Sequence, residues 1–249
     1  MPTGYCTVED VRHALVDTLS DFESGAYGEA DNEIVVKTIA SQTETLEKEF
    51  KRHWYEPSGV DDDPQGLLPT GPKSRDDEED IPTGGAHLVG EPVTPKTYQQ
   101  GYTKIRLARR DAESVTQLLV ATGDGYDDWV ASDEYDGGSF PDALGDDYYL
   151  RENNGGWSEL YLKAEHFLDE DGEPVVESFA NAVYVFFEYG HEGIPENVRK
   201  AVAMRAGAQL LAPDDEAGLG IPENASLQAV ESKVSALERQ ADELLEVYR

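Results

Sequence analysis

The chain has 249 residues, with 52 Asp and Glu against 20 Lys and Arg, for a formal charge of −32. That charge repels nucleic-acid phosphates and argues against a DNA-coating protein. No run approaches the roughly 18 consecutive apolar residues of a membrane span, so no membrane partner is expected. The opening MPTGYCTVED has neither the basic region nor the apolar run of a signal peptide. A single cysteine, Cys6, rules out an internal disulfide framework.

Acid at this density fits either disorder or adaptation to high salt. Apolar runs such as Ala182–Phe187 and Val115–Val120 read as buried strands, which disorder does not need. Only nine of the 20 cations are Lys, and the acid is spread along the whole length. At molar salt the Debye length is about 3 Å, so the self-repulsion of such a surface is screened. In dilute buffer the same charges destabilise the compact state. A halophilic source is the reading this supports.

Residues 7–20 read as a helix. Thr7 precedes Val8-Glu9-Asp10, a capping-box-like start with an acid at the third helical position. Val8, Val11, Leu15 and Leu19 then recur at spacings of three and four. Ser20 to Gly28 reads as a loop, and a longer helix is expected over about 32–54. Its stripe is Ile34, Val35, Ile39, Leu46, Phe50 and Trp54, with cations late in the run. Residues 56–97 hold seven of the 13 prolines and two acidic runs, Asp61–Asp63 and Asp76–Asp80. They read as an extended acidic arm or loop.

From about 98 to 190 the pattern is β, with five to seven strands. Tyr102–Leu107 alternates, Arg109–Glu113 reads as a turn, Val115–Ala121 returns, and Trp129–Ala131 is a possible strand. Tyr148–Leu150 and Trp157–Phe167 flank Asn153-Asn154-Gly155-Gly156, a hairpin signal because Asn and Gly supply positive φ. A last strand is expected between Glu173 and Tyr189. Ile194-Pro195-Glu196 starts a helix that runs to about Leu211 and is rich in Ala and Gly. The final helix begins near Ser226, with Leu227, Val230, Val234, Leu237, Ala241, Leu244 and Tyr248 in a seven-residue repeat. The expected fold is therefore α+β. The N- and C-terminal helices (1–55 and 194–249) form a helical bundle, 56–97 is the arm, and 98–193 is a β-rich, sandwich- or barrel-like insertion.

Chemistry-bearing motifs are sparse. The five histidines form no His-x-His or His-Glu-x-x-His spacing, and one Cys cannot build a thiolate zinc site. Asp61–Asp63 and Asp169–Gly172 depart from the twelve-residue EF-hand pattern. There is no Gly-rich phosphate loop and no Gly-x-Ser-x-Gly elbow. No cofactor, metal or catalytic residue is assigned, and a structural protein rather than an enzyme is expected. The heptad stripe of the last helix suits either the chain's own core or a neighbouring subunit. Arg199, Lys200 and Arg205 stand out as cations among acids. They meet carboxylates either of an adjacent copy or of their own chain.

Two stretches carry a resemblance. Tyr5-Cys6-Thr7-Val8-Glu9-Asp10-Val11 resembles the start of head–tail connector (adaptor, or head-completion) proteins of tailed viruses. So does the helix entered at Asp31-Asn32-Glu33-Ile34 and ending in Phe50-Lys51-Arg52-His53-Trp54-Tyr55. Ile194–Val202 looks like the family's next helix, introduced by Pro and a basic-alanine stretch. The resemblance covers residues 5–55 and 194–249, and residues 56–190 exceed the family's compact helical plan. It implies a virion protein at the head–tail junction, assembled in the host cytoplasm, here of a haloarchaeal virus. It would form a ring, commonly of twelve copies, that binds the portal on one side and tail-completion or tail proteins on the other. The ring would extend the channel through which DNA passes without specific binding. The residues then expected at subunit or partner contacts are Trp54, Tyr55, Arg199, Lys200, Arg205, Val230, Val234, Leu237, Leu244 and Tyr248. The alternatives are another virion component, such as a tail-completion or capsid-decorating protein, and a halophilic enzyme or carbohydrate-binding module. The last would use Tyr148, Tyr149, Trp157 and Tyr161 as an aromatic platform.

The charge balance yields a first test. Dialysis from molar salt into dilute buffer is expected to abolish the far-UV circular dichroism of the folded chain; a spectrum unchanged by salt removal rejects the halophilic reading.

Overall fold

The structure, a computed structural model, describes residues 2–15, 29–57, 62–74, 101–122, 125–139, 142, 144–153, 155–171, 182–211 and 227–249. The fold is mixed α+β, with four α-helices and several sheets among the described residues. The chain divides into two compact units. The first comprises Met1–Phe50, Trp54–Gly71 and Glu192–Arg249; the second comprises Lys51–His53 and Pro72–His191.

The first unit is built from α1 (Val8–Leu15), α2 (Glu29–Phe50), the short strand β1 (Trp54–Tyr55), α3 (Glu196–Leu211) and α4 (Leu227–Leu245), which runs into a 3-10 turn at Glu246–Tyr248. The capping box forms as the sequence indicates. The Thr7 hydroxyl accepts the Asp10 N–H at 3.2 Å, and Asp10 Oδ2 accepts the Thr7 N–H at 2.8 Å. α3 is the central element and packs against α1, α2 and α4. Its Val198, Ala201, Val202, Ala203, Ala206, Gly207 and Ala208 are all buried, leaving little of its circumference to solvent. A helix apolar on nearly every side belongs in a core, and small side chains let its neighbours come close. A Cβ on Gly207 would lie 3.1 Å from Leu15 Cδ2, so a larger residue there would press on α1.

The second unit holds β2 (Lys73–Ser74), β3 (Tyr102–Arg110), β4 (Ala112–Thr122), β5 (Gly125–Asp128), β6 (Gly137–Ser139), β7 (Tyr148–Glu152), β8 (Trp157–Lys163) and β9 (Val183–Tyr189). They form two four-stranded sheets, β2-β9-β4-β5 and β3-β8-β7-β6. β10 (His191–Glu192) follows β9 in the chain. One face of each four-stranded sheet feeds a single core: Leu118, Val120, Val185 and Phe187 from the first, and Ile105, Leu107, Leu150, Leu160 and Leu162 from the second. The period-two burial of β8 and β9 is the signature of strands with one face packed and one face open.

Several expectations change. The second helix stops at Phe50 because Lys51 takes a left-handed φ of 56°, so Trp54 lies on a strand and not on the helical stripe. The turn expected at Arg109–Glu113 narrows to Asp111, whose φ of 55° marks the passage of the chain from β3 in one sheet to β4 in the other. Trp129–Ala131 is a turn; the strand there is β5, just before it. The Asn-Gly hairpin joins β7 to β8, with Gly155 and Gly156 at positive φ. Parts of the expected arm or loop are packed and paired. Leu67 and Leu68, its one apolar pair before residue 75, are buried in the first unit's core, and Lys73–Ser74 pairs with β9. The rest of it, residues 75–97, and the loop at 20–28 lie outside the described residues.

Trp54 gives a test of the first core. It is fully buried and packs edge-on against Tyr5, Phe50 and Tyr248 at 5.5, 6.4 and 5.8 Å. Trp54→Ala is expected to cost about 3–5 kcal/mol by denaturant titration at high salt, since it removes a large side chain from a closed site.

Candidate functional site

In the first unit, the residues expected at subunit contacts are engaged within the chain. Trp54, Val230 and Leu237 belong to its buried core, and Val234, Leu244 and Tyr248 pack partly buried against that core. Tyr55 is half-buried, and its carbonyl accepts the Gly193 N–H at 2.7 Å. Arg199 bridges two acids, with Nε 2.8 Å from Asp10 Oδ2 and Nη2 2.7 Å from Asp62 Oδ2. Burial opposes the charge of Arg199, but its two carboxylate partners outweigh that and raise its pKa. Arg205 likewise joins Glu49 at 3.1 Å and Asp242 at 2.8 Å, tying α3 to α2 and α4. Lys200 pairs with Glu196 one turn earlier on α3. The physical reasons are two: α3 and α4 need their apolar faces for each other, and the partly buried Arg199 and Arg205 need nearby acids.

Cys6 is fully buried, and burial followed by the Asp10 charge pushes its thiol well above the ordinary value. That environment suits a packed side chain and not a nucleophile. Among the described residues, no group of three or more His, Cys, Asp and Glu is placed to hold a metal ion. Among the described residues of the acidic runs, Asp62 pairs with Arg199, Asp63 Oδ2 accepts the Leu68 N–H at 2.7 Å, and Asp169 Oδ1 accepts the Asp171 N–H at 2.9 Å.

The second unit assembles three side-chain clusters. In the first, Arg52 forms a two-pronged ion pair with the buried Asp111, through Nε and through Nη2, the latter at 2.8 Å. Asp111 also holds the left-handed turn between β3 and β4, so the pair fixes a strained backbone position.

The second cluster centres on Trp129. Its ring stacks on Tyr135 at 4.6 Å and meets His166 edge-on at 4.8 Å. His166 Nε2 lies 2.7 Å from Asp147 Oδ1, while Asp147 Oδ2 accepts the Asp136 N–H at 2.8 Å. Burial disfavours the Asp147 carboxylate, but the Asp136 N–H and then His166 outweigh it and hold its pKa below the ordinary 3.8. A His–Asp pair is the orienting half of a nucleophilic triad. Among the described residues His166 pairs with Asp147, which ties the loop before β7 to the 3-10 turn at Ala164–Phe167 after β8.

The third cluster covers the open face of β3, β8 and β7. Of the expected aromatic platform, Tyr149, Trp157 and Tyr161 share this face and Tyr148 does not. Alternation along β7 turns Tyr148 into the core and Tyr149 outward. Tyr149 stacks on Tyr161 at 4.7 Å with rings 5° from parallel, and Tyr102 meets Tyr149 edge-on at 5.1 Å. Trp157 instead carries two guanidiniums, Arg106 at 3.5 Å and Arg110 at 4.6 Å from its ring centre. Burial and then the neighbouring Arg52 charge lower the Arg110 pKa, with Arg106 adding to the effect and Asp111 opposing it. The alternation of Tyr102-Thr-Lys-Ile-Arg-Leu107 was the available signal for a cationic face. The pairing with Trp157 depends on strand register, which the sequence does not display.

The Asp147 clamp gives a pH test. A carboxyl whose folded pKa is depressed contributes stability that is present above its unfolded value and lost as pH falls through its folded value. Asp147→Asn is therefore expected to flatten the acid side of the melting-temperature profile between about pH 5 and 2, with the largest loss of stability at neutral pH. Equal losses at neutral and acid pH would show that the carboxylate's charge contributes nothing.

Compared with protein-family models, with curated proteins and with solved structures, the chain matches none.

Proposed function

We propose that the chain is a structural virion protein, a head-to-tail adaptor that forms a ring of twelve copies between portal and tail. The observation that carries this reading is the composition of the first unit's core. The two stretches that resemble connector proteins, 5–55 and 194–249, supply nearly all of it: Tyr5, Val8, Val11, Leu15, Phe50 and Trp54 from one, and Val198, Val202, Ala206, Val230, Leu237 and Leu245 from the other. In this reading the four helices are the connector's bundle. The second unit is carried between them as an insertion.

The electrostatics are compatible with a DNA conduit. A channel through which DNA must slide is best lined by groups that repel phosphate, and 52 carboxylates make such a lining easy to build. At molar salt the repulsion acts over about 3 Å, enough for a non-stick surface and too little to hinder assembly. Ring formation needs subunit contacts beyond the residues already engaged within the first unit. The reading therefore places those contacts on exposed surface other than the ten candidate residues.

The test is direct. Purified virions from the halophilic source, imaged with an antibody fragment against this chain, are expected to show label at the head–tail junction. The full chain, mixed at molar salt with the portal encoded in the same genome, is expected to add a ring of density beneath it. Label on the capsid faces or tail tip, or a portal that never takes up the chain, rejects the adaptor.

A further inference from the structure

We propose that the open face of β3, β8 and β7 is a docking surface for carboxylate side chains of a second copy of this chain. The proposal rests on the self-association that the adaptor reading requires, and it assigns the surface that performs it. The adaptor reading itself leaves that surface open.

Charge distribution is the first argument. Lys104, Arg106, Arg110, Arg151 and Lys163 share this face, a quarter of the chain's 20 cations on three short strands. Glu159 is the carboxylate of β8 on the same face. Elsewhere two copies of a chain with a charge of −32 present mostly like charge to each other. Attraction between copies is strongest where cations are concentrated, and like-charge contacts elsewhere suppress other arrangements.

Register and stacking supply the second argument. Arg106 stands directly opposite Glu159 across the β3–β8 ladder, and Arg151 stands opposite it across the β7–β8 ladder. Glu159 is already paired with Lys104 at 2.8 Å and accepts the Tyr161 hydroxyl at 3.1 Å. Arg106 is exposed and makes no ion pair among the described residues. It lies instead on Trp157, 3.5 Å from the ring centre. A guanidinium held over an aromatic ring loses none of its N–H donors to another acceptor, and its freedom is already reduced. Less side-chain freedom is then lost when a carboxylate arrives than at a free-swinging lysine. Arg110 on the same ring adds positive potential that an incoming acid relieves.

A carboxylate partner fits better than a nucleic acid. Single-strand binding uses open ring faces on which bases stack. Here Tyr149 and Tyr161 stack on each other, and Trp157 has two guanidiniums over its ring. Duplex DNA carries one charge per about 1.7 Å of axis, and that density would meet the repulsion of the rest of the chain. Separate carboxylates on a protein surface match a face three strands wide, about 10 Å across at the usual strand spacing.

The experiment is sedimentation velocity of the full chain at one fixed high salt concentration, across a range of protein concentration. Wild type is compared with Arg106→Glu and Arg106→Gln. The control is Lys37→Glu, the same charge reversal at an exposed position on α2. Wild type and K37E are expected to associate equally; R106Q is expected to weaken association by about tenfold and R106E by more. Circular dichroism confirms that the variants remain folded. A wild type that stays monomeric at every concentration overturns the proposal, as does equal weakening by R106E and K37E. Binding of a 20-nucleotide oligomer that R106E abolishes would assign the face to nucleic acid instead. The two readings fail separately: portal binding that survives R106E alongside unchanged self-association rejects this face and spares the adaptor, whereas Arg106-dependent association without any portal binding does the reverse.

Discussion

The buried hydroxyl of Tyr5 is the contact on which the first unit turns. It donates to Glu47 Oε1 at 2.6 Å and accepts the Trp54 N–H at 3.0 Å, while the Tyr5 backbone N–H donates to Thr43 Oγ1 at 3.0 Å. The start of the chain is thereby fixed to α2 and to the strand that follows it. The Tyr5 and Trp54 rings then form a wall against which Phe50 and Tyr248 pack. A buried polar group must be satisfied where it stands, and each partner of Tyr5 comes from a different turn of α2 or from β1. Loss of that register would leave a phenol, a carboxylate and a backbone amide competing for water that the core excludes. The helices α3 and α4 then fill the space that this arrangement defines.

Charge shapes the structure in a way that follows from its imbalance. With 52 acids and 20 cations, acids are plentiful around every cation, and three arginines join segments distant in sequence. Arg199 meets Asp10 and Asp62, Arg205 meets Glu49 and Asp242, and Arg52 meets Asp111. These are partly buried, multivalent contacts, which retain more of their strength in salt than exposed pairs do. The lysines of α2 and α3 instead pair with acids one turn away, as Lys37 does with Glu33 and Lys48 with Glu44. Such pairs contribute little more than helix propensity. Against this background the Trp157 face is the exception, because its cations gather on one surface and Arg106 spends its contact on an aromatic ring.

The absence of any matching family leaves the connector reading dependent on the chain's own residues. Its strength lies in the way the two resembling stretches share one core. The second unit is built mainly from residues outside those stretches. Its dominant features are two sheets with a common core, a His–Asp clamp beside stacked aromatics, and a cationic outer face. Of these the outer face has the chemistry to recognise a partner, whereas the clamp is spent on holding a loop.

Helix and strand content were legible in the sequence because period and capping are local. Thr7 with Asp10, the Asn-Gly turn before Trp157, the Pro195 start of α3 and the spacing along α4 each point to the element that forms. The α+β class followed from the order of those elements. The candidate site was legible only in part. Arg199 and Arg205 stood out as cations, but which acids they meet depends on contacts between residues up to 189 positions apart. Tyr148, Tyr149, Trp157 and Tyr161 were visible as aromatics, but strand alternation put one of them inside, and a register shift beside Arg110 gave Trp157 to two arginines. What the sequence determined by itself was whatever depends on neighbours within a turn or a hairpin. Only the tertiary structure decided which side chains share a face, because pairing register and core packing are set by long-range contacts that no local pattern encodes.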